Sequence, residues 1–342
     1  MNKLILAEAA VLILLLIVSL FVRAGIMNGE NALSQPETEQ TDGQDVPAIG
    51  TQDTLQSEPE QTEQTEPEET DPIPVMDEME LAVQNAFAYN LESGTMYYLQ
   101  GPWREKVYPA SVTKLFTAIV ALQYLDPETV VTAGDELDLM AEDSSIAYIH
   151  KGHKLTVSML VEGMLLPSGN DAAYMLAAAA AKVEKNNPYL SAEVAIAHFV
   201  ELMNETAQSL GMKDSHFANP DGYHAEDHYT SAKDLITIAR LALDNPVISS
   251  YTSLYEDDVV YASGHTNSWK NTNSLLNPWS SYYIPEAVGL KTGHTDEAGY
   301  CLLSAFRVDG EYIVIGMFGC QERKDRFSQT VKLYQDLPIH EE

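Results

Sequence analysis

Residues 111–125, SVTKLFTAIVALQYL, read as a helix that is apolar on nearly every face. Such a helix is stable only when other elements cover it on all sides, so the chain must build a domain around it. Strand signals lie on either side of a helical middle. Residues 86–91 and 95–99 flank Glu92-Ser93-Gly94, a hairpin pattern. Residues 158–166, 171–183, 192–210 and 231–243 have helical patterning, and Pro246 stands just past the last of these as a stop. Strands return at 287–292, 299–307 and 312–318, the last two joined by the turn pair Asp309-Gly310, and residues 325–337 form a closing helix. Strands, then helices, then strands predict one α+β domain with an antiparallel sheet built from both chain ends and a helical subdomain.

The part before this domain is of a different kind. Residues 4–22 are apolar except for Glu8 and Ser19, with Lys3 before and Arg23 after. Nineteen residues at about 1.5 Å each can just cross a bilayer core of roughly 30 Å, so residues 1–27 are expected to be a membrane anchor. A cleaved signal peptide, with Val22-Arg23-Ala24 as its processing site, is the rival reading. Either one takes the rest of the chain out of the cytoplasm. Residues 28–78 are rich in Gln, Glu, Thr, Pro and Asp, and no lysine or arginine occurs between Arg23 and Arg104. Such a segment cannot bury enough apolar surface to offset chain entropy, and it is expected to be a disordered acidic linker. The globular domain is then 79–342. The net charge of −32 excludes nucleic acid as a partner, since phosphate binding needs a basic stripe. Two cysteines, Cys301 and Cys320, fall on one face of the final hairpin but diagonally, an offset that disfavours a disulfide. With no CxxC pair or Cys/His cluster, no metal site and no cofactor are expected.

Three short patterns each occur once: Ser111-Val-Thr-Lys114, Ser168-Gly-Asn170 and Lys291-Thr292-Gly293. Each alone is weak; the ordered triple is strong. Positions i and i+3 share a helix face, so Lys114 can reach the Ser111 hydroxyl. A serine is a poor nucleophile until a neighbour takes its proton. Lysine can take it only when neutral, which burial and a second cation such as Lys291 favour. Ser168 suits proton relay to a leaving amine, and Asn170 suits orientation of Lys114 and of a substrate amide. Lys291, Thr292 and the strand backbone suit a terminal carboxylate and an extended peptide. The N–H groups of Ser111 and His294 suit an oxyanion hole. The bland reading of Ser-x-x-Lys is an N-cap and a surface lysine, yet a stray charge in so apolar a helix would be costly.

These motifs, with YPASVTKLFTA, LLPSGNDAAYMLA, LGMKDSHFANPDGYHAEDHYTSAKDL and GLKTGHTDEAGYCLLSA, resemble the serine D-alanyl-D-alanine carboxypeptidases, the low-mass penicillin-binding proteins. The resemblance runs from about Asn85 to Leu337. It implies the serine β-lactamase/transpeptidase-like fold, an acyl-enzyme at Ser111, a stem peptide ending in D-Ala-D-Ala as substrate, and β-lactams as ligands. It also implies that an arginine near the closing helix, best matched by Arg326, binds the substrate carboxylate. Many relatives carry a further β-rich domain and a C-terminal amphipathic helix; this chain stops soon after its closing helix.

Three rival functions are weaker. A class A β-lactamase would need a Glu-x-x-Leu-Asn stretch, which is absent. A tethered muropeptide or β-lactam sensor would not need the complete motif set. A metallopeptidase using His216, His224 and His228 lacks the Glu that HExxH requires. The aromatics of NTNSLLNPWSSYY, upstream of Lys291, are expected to pack against the domain rather than line the groove.

Overall fold

Strands from early and late in the described residues meet in one sheet. The computed structural model describes residues 71–76 and 79–340; the expected anchor and most of the expected linker lie outside them. In chain order the strands are β1 (Asn85–Asn90), β2 (Met96–Gln100), β3 (Val130–Thr132), β4 (Lys154–Thr156), β5 (Glu256–Val260), β6 (Thr266–Lys270), β7 (Ala287–Thr295), β8 (Gly299–Val308) and β9 (Glu311–Cys320). The α-helices among the described residues are α1 (Thr113–Ala121), α2 (Val157–Leu165), α3 (Asn170–Glu184), α4 (Ala192–Ser209), α5 (Ala232–Asp244), α6 (Pro246–Thr252) and α7 (Asp325–Asp336). The main sheet is antiparallel in the order β2-β1-β9-β8-β7. Before β1, the Val75 and Met76 amides donate to the Met96 and Tyr97 carbonyls.

The sheet is covered on both faces. Successive side chains of a strand point to opposite sides. On β8, Cys301, Leu303 and Ala305 therefore join the core around α1, while Leu302 and Phe306 join a second core with Phe327 and Leu333 of α7. Every residue of α1 is buried, as its all-round apolarity demands, and it packs against α3 and α5. The helices start where capping chemistry allows. Thr156 Oγ1 accepts the Met159 amide at α2, and Ser231 Oγ accepts the Asp234 amide at α5.

Three readings of the sequence are corrected. Pro246 is not merely a stop: Asn245 closes α5 and caps α6, and Pro246 opens α6 at a first-turn position where its missing N–H costs nothing. The ribbons β3–β4 and β5–β6 escape sequence patterning because they are short or mostly exposed; on β5 the residues EDDVV bury only Val259. The cysteines are free and buried, but they face opposite cores. Tyr300 pairs with Cys320 and Leu302 with Met317. The extra residue on β9, with Gly319 at φ +74°, turns Cys320 to the other face.

Candidate active site

Ser111 lies in the one-turn 3-10 segment Ala110–Val112 that leads into α1. The chain reaches it through Ala110 at φ +48°, a conformation few L-residues adopt without support. The support is steric. A Cβ on Gly222 would stand 1.9 Å from the Ala110 carbonyl oxygen, and one on Gly293 would stand 2.7 Å from that of Pro109. Two glycines thus let two separate segments close on the serine turn. Gly293 belongs to β7, so the Lys-Thr-Gly pattern and the serine turn are pressed together by backbone contact.

Lys114, one turn on from Ser111 and the second residue of α1, is wholly buried. Its Nζ donates to Ser111 Oγ at 2.8 Å and to the Asp221 carbonyl at 2.7 Å. Burial lowers its pKa to about 8, against the opposing pull of the Asp221 and Asp171 carboxylates. Lys291 is equally buried; burial, then repulsion from Lys114 and Arg326, holds it well below the ordinary lysine range. Its Nζ donates to the Thr292 carbonyl at 3.0 Å.

The middle pattern forms the opposite wall. Ser168 is buried at φ +67°, and its carbonyl accepts Ser145 Oγ at 2.6 Å. Asn170 opens α3. Its Nδ2 donates to Asp221 Oδ2 at 2.5 Å and to Ser144 Oγ at 2.9 Å. Asn170 is therefore linked to Lys114 through Asp221, a residue that the motif reading passes over. Asp171 was missed as well; it is fully buried and takes the Ala147 and Ile149 amides at 2.9 Å. Burial pushes both carboxyls above the usual range; the Ala147, Ile149 and Ala172 amides pull Asp171 back, and Lys114 pulls Asp221 back. The signal was present: a lysine in an apolar helix needs counter-charge nearby, and Asn219-Pro220-Asp221-Gly222 is a turn that can deliver it.

Ser111, Ser168, Asn170, Thr292, Gly293, His294 and Arg326 line one cleft of about 490 Å³; Lys114 and Lys291 are buried and do not line it, Lys114 touching it through Ser111. Thr292 Oγ1 lies 2.6 Å from Thr272 Oγ1. His294 is exposed and stacks on Tyr300 at 4.1 Å. Arg326 donates from Nη1 to the Gly293 carbonyl at 2.9 Å and the Cys301 carbonyl at 3.3 Å. Its Nε is buried without a partner, and burial lowers its pKa only to about 10, so it is a cation at neutral pH. Arg323 joins it at that end.

The histidines near the cleft serve other ends. His228 is buried, its Nδ1 accepting the Ala218 amide and its Nε2 lying 2.7 Å from Thr113 Oγ1. Burial drops its pKa to about 3, so it is neutral and donates to the threonine. His224 Nδ1 is 3.8 Å from Glu297 Oε2. Among the described residues no group of three or more His, Cys, Asp or Glu could hold a metal ion. The aromatics upstream of β7 split: Tyr282 stacks on Phe327, whereas Trp279 is 79% exposed. Thr272 is the cleft residue from that stretch.

Residues 73–319 match the Peptidase S11 family model, described as D-alanyl-D-alanine carboxypeptidase. The chain is 28% identical over 263 residues to the D-alanyl-D-alanine carboxypeptidase DacF of Bacillus subtilis, covering 75% of this chain and 62% of that protein. It is 31% identical over 271 residues to a D-alanyl-D-alanine carboxypeptidase of Streptomyces sp. K15, covering 77% and 89%. Among solved structures, the Streptomyces K15 DD-transpeptidase superposes with a TM-score of 0.67 at 29% identity, over 76% of this chain and 98% of that one. Penicillin-binding protein D2 from Listeria monocytogenes, in its ampicillin-bound form, superposes with a TM-score of 0.62 at 26% identity, over 76% and 98%. With its serine, lysine and Lys-Thr-Gly strand converging on one cleft and a family match over most of its length, the chain belongs to the D-alanyl-D-alanine carboxypeptidase family, Peptidase S11.

Proposed function

We propose that this chain is a serine-type D-Ala-D-Ala carboxypeptidase that removes the terminal D-alanine from peptidoglycan stem peptides through an acyl-enzyme at Ser111. One observation carries the reading: a fully buried lysine, its pKa lowered to about 8, donates to the hydroxyl of a cleft serine at 2.8 Å. Neutral Lys114 takes the Ser111 proton as Oγ bonds to the penultimate D-alanine carbonyl. The Ser111 and His294 amides hold the developing oxyanion. As the C–N bond breaks, the proton passes by way of Ser168 to the departing D-alanine amine. Water then attacks the ester, giving a proton to Lys114, which passes it to Ser111 Oγ as the ester C–O bond breaks and the shortened peptide leaves. Lys291, Thr292 and Arg326 hold the terminal carboxylate, while Asn170 fixes Asp221 and the substrate amide. The same acyl-enzyme accounts for β-lactam binding.

The DD-transpeptidase structures support a second outcome, transfer of the acyl group to an amine instead of water. Adding a D-amino acid acceptor and measuring the ratio of transfer to hydrolysis separates the two. Residues 1–27 would anchor the protein and 28–78 would tether the domain 79–342 outside the membrane, at the cell wall; the apolar run between Lys3 and Arg23 supports this.

The test is covalent labelling with fluorescent penicillin together with release of free D-alanine from a pentapeptide ending in D-Ala-D-Ala. Both are expected in the wild type and absent in Ser111→Ala. Labelling that persists in the variant removes Ser111 from the mechanism.

A further inference from the structure

Between β6 and β7 the chain makes a closed loop with a sealed neck. The Ile284 amide donates to the Leu275 carbonyl at 3.1 Å, and Leu275, Leu276 and Ile284 are buried. Above the neck, successive turns fix the backbone. Asn277 Oδ1 accepts the Trp279 amide at 2.9 Å, and the Asn277 carbonyl accepts the Ser280 amide at 2.9 Å. An ordered loop thus holds an indole that is 79% exposed. A single exposed apolar side chain is ordinary on a protein surface; an interaction site needs a patch.

The indole is not isolated. Its ring lies 5.9 Å from that of Tyr255 at an interplanar angle of 59°, so the two rings form an open corner. Neither ring lines the cleft, but the backbone ties the corner to it: the Tyr255 carbonyl accepts the Asn271 amide at 2.6 Å, and the next residue, Thr272, bonds the Thr292 hydroxyl inside the cleft. Its charge narrows the occupant. Tyr255 is followed on β5 by exposed Glu256, Asp257 and Asp258; Lys270 Nζ, 3.0 Å from Glu256 Oε2 and 6.0 Å from the Tyr255 ring centre, offsets one of the three, and the remaining negative charge repels an anionic membrane surface or an acidic polymer. A neutral polymer with flat apolar C–H faces is compatible with both the rings and the carboxylates.

We propose that Trp279 and Tyr255 form a glycan-binding platform, on which an N-acetylated hexosamine of the peptidoglycan strand stacks while its stem peptide enters the cleft. This rests on the proposed carboxypeptidase function for the identity of the polymer, but its test does not need that activity. The full-length chain, wild type and Trp279→Ala, is co-sedimented with insoluble chitin, a neutral polymer of N-acetylglucosamine that carries no stem peptide, and indole fluorescence is titrated with N-acetylglucosamine tetramer. Wild type is expected to pellet and to show quenching; the variant is expected to bind about fivefold more weakly or worse and to lose the quenching. Labelling by fluorescent penicillin and D-alanine release from a free pentapeptide are expected to stay within about twofold of wild type, which shows that the variant is folded. Trp279→Phe, which keeps a stacking face, is expected to retain most of the binding. Equal pelleting of wild type and Trp279→Ala, or Trp279-dependent pelleting with phosphatidylglycerol vesicles instead of glycan, would overturn the proposal. If penicillin labelling fails in the wild type while glycan binding persists, the carboxypeptidase reading falls and the platform stands.

Discussion

At the scale of the residue, the chemistry turns on which form of Lys114 is present. With a pKa of about 8, about a tenth of it is neutral at pH 7, and the neutral form is the one that accepts a proton. Acylation by penicillin should therefore quicken as pH climbs through about 8 and level off above. Lys114→Ala is expected to lose about 10²–10⁴-fold in acylation rate, measured by stopped labelling. Asp221 offers a sharper test. Its carboxylate raises the lysine pKa against the effect of burial, so Asp221→Asn should shift the midpoint of the pH profile to lower pH. A variant that is slower with an unmoved midpoint would reduce Asp221 to a scaffold for Asn170.

At the scale of the element, the site depends on three pieces of chain meeting at one turn. The 3-10 segment carrying Ser111 is clamped between Gly293 of β7 and Gly222 of the loop after α4. Because Gly222 sits at φ +82° and a Cβ there would collide with the Ala110 carbonyl, Gly222→Ala combines backbone strain with a clash that no side-chain movement relieves. We expect it to cost roughly 2–4 kcal/mol of stability and to abolish penicillin labelling, read by thermal denaturation and gel fluorescence. Retained labelling at wild-type rate would mean that the loop carrying Asp221 can withdraw without disturbing the nucleophile. The His228–Thr113 bond and the bond from Thr117 Oγ1 to the Pro220 carbonyl tie that same loop to α1.

At the scale of the whole molecule, one buried carboxyl that does not line the cleft makes stability depend on pH. Glu162 of α2 is 3% exposed, and one of its oxygens has no hydrogen-bond partner. Burial, reinforced by Asp257, raises its pKa from 4.5 to about 8. A carboxyl whose folded pKa lies above its unfolded value stabilises the fold at low pH and loses that contribution as pH rises through the window, here from 4.5 to about 8. Glu162→Gln should match the wild type near pH 4 and exceed its Tm by roughly 2–8 °C near pH 9. No gain at the higher pH would place an unrecognised partner beside the carboxylate.

The sequence by itself determined the elements whose patterns are local and strong. These are the apolar helix that had to be central, the Asp309-Gly310 hairpin, and the three motifs, because i,i+3 spacing and two-residue turns are short-range physics. Only the tertiary structure decided how those motifs are wired. Asp221 and Asp171 reach Lys114 from other segments, Gly222 and Gly293 matter through what they touch, and a single bulge moved Cys320 to the opposite face. Contacts between residues far apart in the chain leave no period in the sequence, since they are set by packing and by the need of a buried charge for a partner.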